Sequence, residues 1–406
     1  MKRYVIVGAG SRCYSMFVRG LKNRFADSVQ LVGVYDINKK RCEFFKNEVG
    51  DSMTVYSDFD TMLATERPDA VIVTTTDATH AQYIIRALDL GFDVISEKPI
   101  CNTLEDCLAI RDAERRSGKR VTVGFNCRFM PYFAKLKELV MSGTVGKIHA
   151  ITYEYCLNRN HGGDYFKRWH RHMGISRGML VHKSTHHFDI VNWLLDDIPT
   201  GVSAMGNRLF YGNPEKARGE RCSTCPAAGE CESRISQSAA YDKPLYFDAE
   251  GEDGYIRDHC AYLPDTDIYD NMSVSVAYSR GTLLTYSLNL FSMREGYRIS
   301  LTGEHGVILG ECFATGYGVD DKFRIRVLHS ETDSEEIVFE KSSGAHGGGD
   351  ARLLDMIFGD VSDDPLGQRA DSFSGFASAM IGIGANESIK NRVHYDLTAP
   401  LEMLKK

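Results

Sequence analysis

Four apolar residues in a row, Tyr4-Val5-Ile6-Val7, follow two basic ones at the start of the chain. A run without alternation is what a parallel strand buried on both faces requires. The turn Gly8-Ala9-Gly10-Ser11 comes next, and then Tyr14–Asn23, with Met16, Phe17, Gly20 and Leu21 close to helical period. The alternation continues. Val29–Tyr35, Val71–Val73, Phe92–Ser96 and Val121–Gly124 read as strands, and Ala81–Leu90 and Leu104–Ser117 as helices. Repeated βα units with short connections predict a doubly wound parallel sheet. Beyond residue 148 the period changes to two. Ile148–Tyr155, Met272–Tyr278, Gly281–Phe291, Tyr297–Gly303, Gly306–Glu311, Phe323–His329 and Glu336–Glu340 read as strands of an antiparallel sheet, with Ser279-Arg280-Gly281 as a hairpin turn. Residues 178–195 and Ser374–Asn391 read as helices.

The chain has 406 residues, 43% apolar and 25% charged, as in an ordinary folded protein of two or three domains. The pattern divides it into a first domain over 1–125 and a second over 126–406, the latter interrupted by an insertion near 210–265. A net charge of −7, without blocks of like charge, argues against a nucleic-acid partner. No apolar run approaches the ~18–20 residues of a membrane span. The N-terminus leads straight into a strand rather than a signal peptide. The reading is a soluble cytoplasmic protein.

The first domain carries recognisable chemistry. Glycines let a backbone approach a pyrophosphate, nearby N–H groups bind it, and a carboxylate about 20 residues on accepts from the ribose 2′-OH. Gly8, Gly10 and Asp36 fit that scheme, although Cys13 stands where a third glycine is expected. Asp36 favours NAD over NADP, because a 2′-phosphate would meet its charge; Lys39, Lys40 and Arg41 nearby pull the other way. A flavodoxin-like domain using the glycines only to turn is the alternative. Loops at strand C-termini bind ligands in such sheets. Here they carry Thr74-Thr75-Thr76-Asp77, Glu97-Lys98-Pro99 and Phe125-Asn126-Cys127-Arg128.

The glycine turn, the stretch Thr75-Thr76-Asp77-Ala78-Thr79-His80, Glu97-Lys98-Pro99 and the later block Gly178–Asp189, ending in His-x-x-Asp, together resemble the glucose–fructose oxidoreductase / inositol dehydrogenase / MocA family. The resemblance spans the chain apart from the insertion. It implies an α/β protein: a Rossmann domain and a C-terminal α/β domain with a large, mostly antiparallel sheet. It also implies NAD(P)-dependent hydride transfer at a sugar or cyclitol carbon, and homodimers or homotetramers. The cofactor residues would be Gly8, Gly10, Ser11, Arg12, Asp36, Thr75, Thr76, His80, Glu97 and Asn126. Lys98 corresponds to the family's active-site lysine, and His186 to the histidine that takes or gives the hydroxyl proton. The position four residues before it, often an acid, is His182, followed by Lys183, which leaves the base open between them.

Other assignments rest on residue types and spacing. Read as one helix, 178–195 stacks His182, His186 and Asp189 on one face, with Lys183 and His187 as a second pair. Catalysis or substrate binding, a metal, or a solvated face all suit such a stripe. His161–Arg171 mixes rings and charges as sugar sites do, so Tyr165, Trp169, Arg171, Arg128 and Asp189 are substrate candidates; Trp169 equally suits a core. The run His346–Asp350 reads as a linker or a mobile loop. Cys222, Cys225, Cys231 and Cys260 supply four possible thiolates within 39 residues. A structural zinc would staple a segment poor in apolar residues; an iron–sulfur cluster or free thiols are the alternatives. Two further functions stay in view. One is an NAD-recycling glycosidase that oxidises, eliminates, hydrates and re-reduces. The other is a non-catalytic NAD-sensing regulator, against which Lys98 in its motif argues.

Overall fold

A computed structural model describes residues 1–235, 240–316 and 319–405. The chain divides into two compact units. One comprises Met1–Asn126, Ser236–Arg257 and Asp350–Phe376; the other comprises Cys127–Ile235, Asp258–Gly349 and Ala377–Lys406. Among the described residues no helix is long and apolar enough to cross a membrane.

The first unit is built on strands β1 (Lys2–Val7), β2 (Val29–Tyr35), β3 (Thr54–Tyr56), β4 (Ala70–Val73), β5 (Asp93–Ser96) and β6 (Val121–Val123). Their order is β6-β5-β4-β1-β2-β3, all parallel, with the two-residue strand Ala370–Asp371 antiparallel on the β6 edge. Val5, Ile6, Val7, Val71, Ile72 and Val73 are fully buried, which is why β1 and β4 read as unbroken apolar runs. The chain reverses direction across the sheet between β1 and β4, the switch point at which such sheets bind ligands.

The second unit holds a nine-stranded sheet. Its long strands are β7 (Ile148–Asn158), β8 (Pro199–Asn207), β9 (Asn271–Tyr278), β10 (Leu283–Ser292), β11 (Glu295–Gly303), β12 (Gly306–Thr315), β13 (Lys322–Leu328) and β14 (Ser334–Glu340). The order is β14-β13-β12-β11-β7-β10-β9-β8, closed by Tyr395–Asp396. Only the β7–β10 pair is parallel among these pairings of the described residues. Period two puts Tyr153, Tyr286 and Ile299 side by side on the buried face. The helix Thr185–Leu195 is buried through most of its length, and His187 Nδ1 lies 2.7 Å from the Tyr286 hydroxyl.

Residues 178–195 are not one helix. Met179–His182 ends at Lys183, and a second helix begins at Thr185. Ser184 Oγ bonds the Tyr286 hydroxyl at 3.0 Å rather than capping the helix. The break separates His182 from His186 and Asp189, so the expected single stripe does not form.

No three His, Cys, Asp or Glu side chains among the described residues are arranged to hold a metal ion, and Cys222, Cys225, Cys231 and Cys260 are free thiols. Hydrogen bonds fasten this segment instead. The Cys222 N–H donates to Asp258 O and the Cys260 N–H to Glu220 O, each at 2.8 Å. The fully buried Asp258 carboxylate accepts from Arg221 Nε at 2.9 Å, Arg221 Nη2 at 2.6 Å and the Ser223 N–H at 2.8 Å. Burial alone would raise its pKa; the donors from Ser223 and Arg221 outweigh that and hold it below the ordinary carboxylate range. Replacing Asp258 by Ala is expected to cost about 3 kcal/mol, the low end for breaking a buried pair. Because the folded pKa is depressed, this contribution is complete above about pH 4 and is lost as pH falls below it. Urea titrations of both proteins at pH 7 and pH 3 check this: equal gaps at the two pH values would refute it.

Candidate functional site

The first unit gathers its candidate residues at the β1/β4 switch point. Gly8 has φ +95°, and a Cβ there would lie 2.5 Å from Thr75 N. The Thr74 N–H donates to Val7 O at 2.9 Å, and Thr74 Oγ1 donates to Gly8 O at 2.7 Å. Asp36, at the end of β2, is oriented by the Ala9 N–H at 2.7 Å and the Asn38 N–H at 2.8 Å, one to each carboxylate oxygen. Each oxygen keeps a lone pair, as a ribose hydroxyl requires. Burial pushes the Asp36 carboxyl above its ordinary pKa. Cys13 is fully buried, so the thiol is accepted where a third glycine was expected. The close approach at Gly8 and the presented carboxylate fit the pyrophosphate and the ribose of a dinucleotide.

The Lys98 loop adjoins this turn. His80 is 1% exposed; its Nδ1 lies 2.7 Å from Pro99 O and its Nε2 lies 3.1 Å from Thr75 O. Both ring nitrogens are committed to carbonyls, and burial holds the ring pKa below its ordinary value. His80 therefore ties the Thr75 loop to the Lys98 loop through both ring nitrogens. Thr75 and Thr76 face Thr79, whose hydroxyl lies 2.9 Å from Thr75 Oγ1 and 3.4 Å from Thr76 Oγ1. Arg12 Nε bonds Glu97 Oε1 at 2.7 Å, and its Nη1 bonds Asp350 Oδ2 at 2.7 Å. Asp350 also accepts from Asn126 Nδ2 at 2.5 Å. Burial alone would lower the pKa of Arg12; the charges of Glu97 and Asp350 more than reverse this. Asp77, buried close to Lys98, is pushed up by burial, while the lysine's charge opposes the shift.

The second unit places a group of rings around His182. Trp169 stacks on His170 with centroids 3.7 Å apart, His170 meets His182 at 4.3 Å, and Tyr165 meets His182 at 5.7 Å. His161 stacks on Tyr165 at 5.5 Å, and its Nδ1 lies 2.8 Å from Glu295 Oε1. Lys183 Nζ stands 5.5 Å from the Tyr155 ring. Burial alone would lower the pKa of Lys183, but Tyr155, Tyr165, Cys127 and Glu295 together hold it above its ordinary value. His186 lies in the first turn of Thr185–Leu195 and is 6% exposed.

Comparison with known proteins decides the family. Residues 2–125 match the model described as "Oxidoreductase family, NAD-binding Rossmann fold", and residues 137–358 match its C-terminal alpha/beta domain. The chain belongs to the Gfo/Idh/MocA oxidoreductase family. It is similar to YteT of Bacillus subtilis (strain 168), which is named as an oxidoreductase, with 33% identity over 96% of this chain and 95% of that one. Inositol 2-dehydrogenase 3 of Saccharopolyspora erythraea is 33% identical over 43% of this chain and 48% of its own. The WlbA dehydrogenase of Chromobactrium violaceum, solved with NADH and UDP-GlcNAcA, shares the fold with a TM-score of 0.67 at 17% identity, covering 98% of this chain and 96% of that one.

Within this Gfo/Idh/MocA fold, three residues expected at the substrate form ion pairs in the second unit. Arg128 and Asp189 grip each other, Nε to Oδ2 at 2.8 Å and Nη2 to Oδ1 at 2.6 Å, with side chains 5% and 1% exposed. Arg171 is buried against Asp265, and its carbonyl accepts from Thr266 Oγ1. The Arg128–Asp189 fork is satisfied inside the protein, whereas Arg171 Nε and Nη1 are buried without a hydrogen-bond partner among the described residues. Sequence reasoning passed over Asp350, Tyr155, His161, His170 and Glu295 as site residues. For Asp350 the available signal was an acid opening a helix after a glycine run. Removing one partner of the buried pair strands the other, so Asp189→Ala is expected to cost about 3–5 kcal/mol. The double variant Arg128→Met with Asp189→Leu should regain most of this in urea denaturation. A double variant as unstable as the single would show that the pair is not the cause.

Proposed function

We propose that this oxidoreductase uses NAD to move a hydride to or from a hydroxyl-bearing carbon of a sugar, glycoside or cyclitol. The observation that carries the substrate class is the group Tyr165, Trp169, His170 and His182, with Lys183 and Glu295 beside it. Flat rings suit the C–H faces of a polyol, and charged and imidazole groups suit its hydroxyls. Relatives named inositol 2-dehydrogenase and glucose-6-phosphate 3-dehydrogenase act in the same chemical class. Asp36 supports NAD, and Arg41, the nearby cation that would welcome a 2′-phosphate, is taken by Asp253 at 2.9 Å.

Bound NAD supplies the hydride acceptor. The chain supplies the rest. Lys98 holds the reacting hydroxyl oxygen and stabilises alkoxide character by its charge. His186 accepts the hydroxyl proton, in line with the family motif. His182, among its rings, serves as a second proton acceptor, and Lys183 contributes charge rather than basicity. Lys98→Ala is expected to lower kcat/KM at least about a hundredfold, while NADH binding, followed by fluorescence titration, stays within about threefold. Near-wild-type turnover would overturn the role of Lys98.

A second reading has its own support. His161, His170 and His182 surround Tyr165, and Glu295 engages His161. One alcohol oxidation needs one base, whereas abstraction of a proton beside a transient ketone needs another. This favours a glycosidase that recycles its NAD. Incubation with NAD and a panel of aryl glycosides separates the two. NADH absorbance without aglycone is expected for the dehydrogenase; aglycone release without net NADH would establish the hydrolase in its place.

A further inference from the structure

The second half of the insertion belongs to the first unit and lies on its dinucleotide turn. The Tyr246 hydroxyl accepts from the Ser11 N–H at 2.8 Å and donates to Ser11 Oγ at 3.0 Å. A Cβ on Gly10 would lie 3.5 Å from that same oxygen. The Tyr246 ring is flanked by two guanidinium groups, Arg257 at 4.1 Å and Arg41 at 5.4 Å. The segment is also fixed at the ribose end. Asn38 Nδ2 donates to Ala249 O at 2.9 Å, Arg41 Nε donates to Leu245 O at 2.9 Å, and Lys40 Nζ donates to Asp248 O at 3.1 Å. Arg41 stands between Asp36 at 3.8 Å and Asp253 at 2.9 Å. The segment thus grips both places that the adenosine half of a dinucleotide must touch.

We propose that residues 240–257 form a gate over the adenosine half of the dinucleotide site, latched by Tyr246 on Ser11. The inference rests on the NAD reading above. An N–H makes one good hydrogen bond, so the Ser11 N–H cannot serve Tyr246 and a pyrophosphate oxygen at once. Binding must exchange one for the other. The freed phenol can then donate to the phosphate. Cofactor entry and exit both wait for the latch, and a cofactor once bound is retained.

The test is stopped-flow fluorescence of NADH with wild type, Tyr246→Phe, and a variant with Arg257→Ala, which removes the cation from the ring but leaves the hydroxyl. A gate predicts that Tyr246→Phe speeds association and dissociation together, roughly tenfold for the loss of one hydrogen bond, with little change in Kd. Arg257→Ala should shift both rates in the same direction. Hydrogen exchange in 240–257 should be faster in Tyr246→Phe than in wild type without NADH. Unchanged rates in both variants overturn the gate and leave the NAD reading standing. A rise in dissociation alone makes Tyr246 a binding contact and also overturns it. Failure of wild type to bind NADH removes the NAD reading and the gate with it.

Discussion

No side chain can stand at position 8. The left-handed φ of Gly8 and the 2.5 Å approach of its missing Cβ to Thr75 N bring two strand ends closer than any other residue allows. Much of the first unit's site follows from this approach. Thr74 closes on Val7 and Gly8, so the ends of β1 and β4 become one rigid edge. The turn that leaves Gly8 aims the Ala9 N–H at Asp36 and the Ser11 N–H at Tyr246. Thr75 O meets His80, and His80 reaches Pro99 O. The loop of Lys98 therefore takes its position from the same point as the phosphate turn. A substitution at Gly8 would move cofactor and lysine together.

The sequence makes this unit legible because its signals are local. Buried parallel strands must be apolar throughout, and a glycine turn followed by an acid has few other uses. The antiparallel sheet is equally readable from period two, down to the turn at Ser279-Arg280-Gly281, where the Tyr278 N–H donates to Thr282 O. What escaped depends on partners distant in the chain. Ser184, at the helix break, bonds Tyr286, about a hundred residues later. Arg128 and Asp189, read as ligand groups, pair with each other across 61 residues. Asp350 joins Arg12 across 338 residues. Four cysteines at suggestive spacing read as a staple, whereas the hydrogen bonds of the buried Asp258 that fasten the same segment join residues more than thirty apart. Composition shows which groups a segment owns, not which of them are already engaged.

Charge placement divides labour among residues that look alike. Lys98 and Lys183 are both lysines in family motifs, and both have been read as acid–base groups. Burial alone would lower the pKa of Lys183, and the surrounding phenols, thiol and carboxylate raise it above its ordinary value. The histidines differ as well. His80 is consumed by carbonyls and His187 by a phenol, whereas His161 and His182 sit among rings in the manner of a polyol site. Burial alone does not separate these roles; the identity of each nitrogen's neighbour does.

The insertion then reads as two pieces with different physics. Residues up to 235, with Asp258, are fastened within the second unit, while residues 240–257 lie over Asp36 in the first. Covering Asp36 removes water from this carboxylate, and its pKa rises accordingly. A desolvated carboxylate makes a stronger hydrogen bond to a hydroxyl than a hydrated one does. The same cover requires that something open before the sugar can arrive. Affinity and slow exchange are therefore two consequences of one segment. An enzyme that returns its hydride to the same substrate gains from both, whereas one that must release NADH on every turnover is slowed by the second. The fate of the cofactor, held or released, follows from residues far from the reacting carbon.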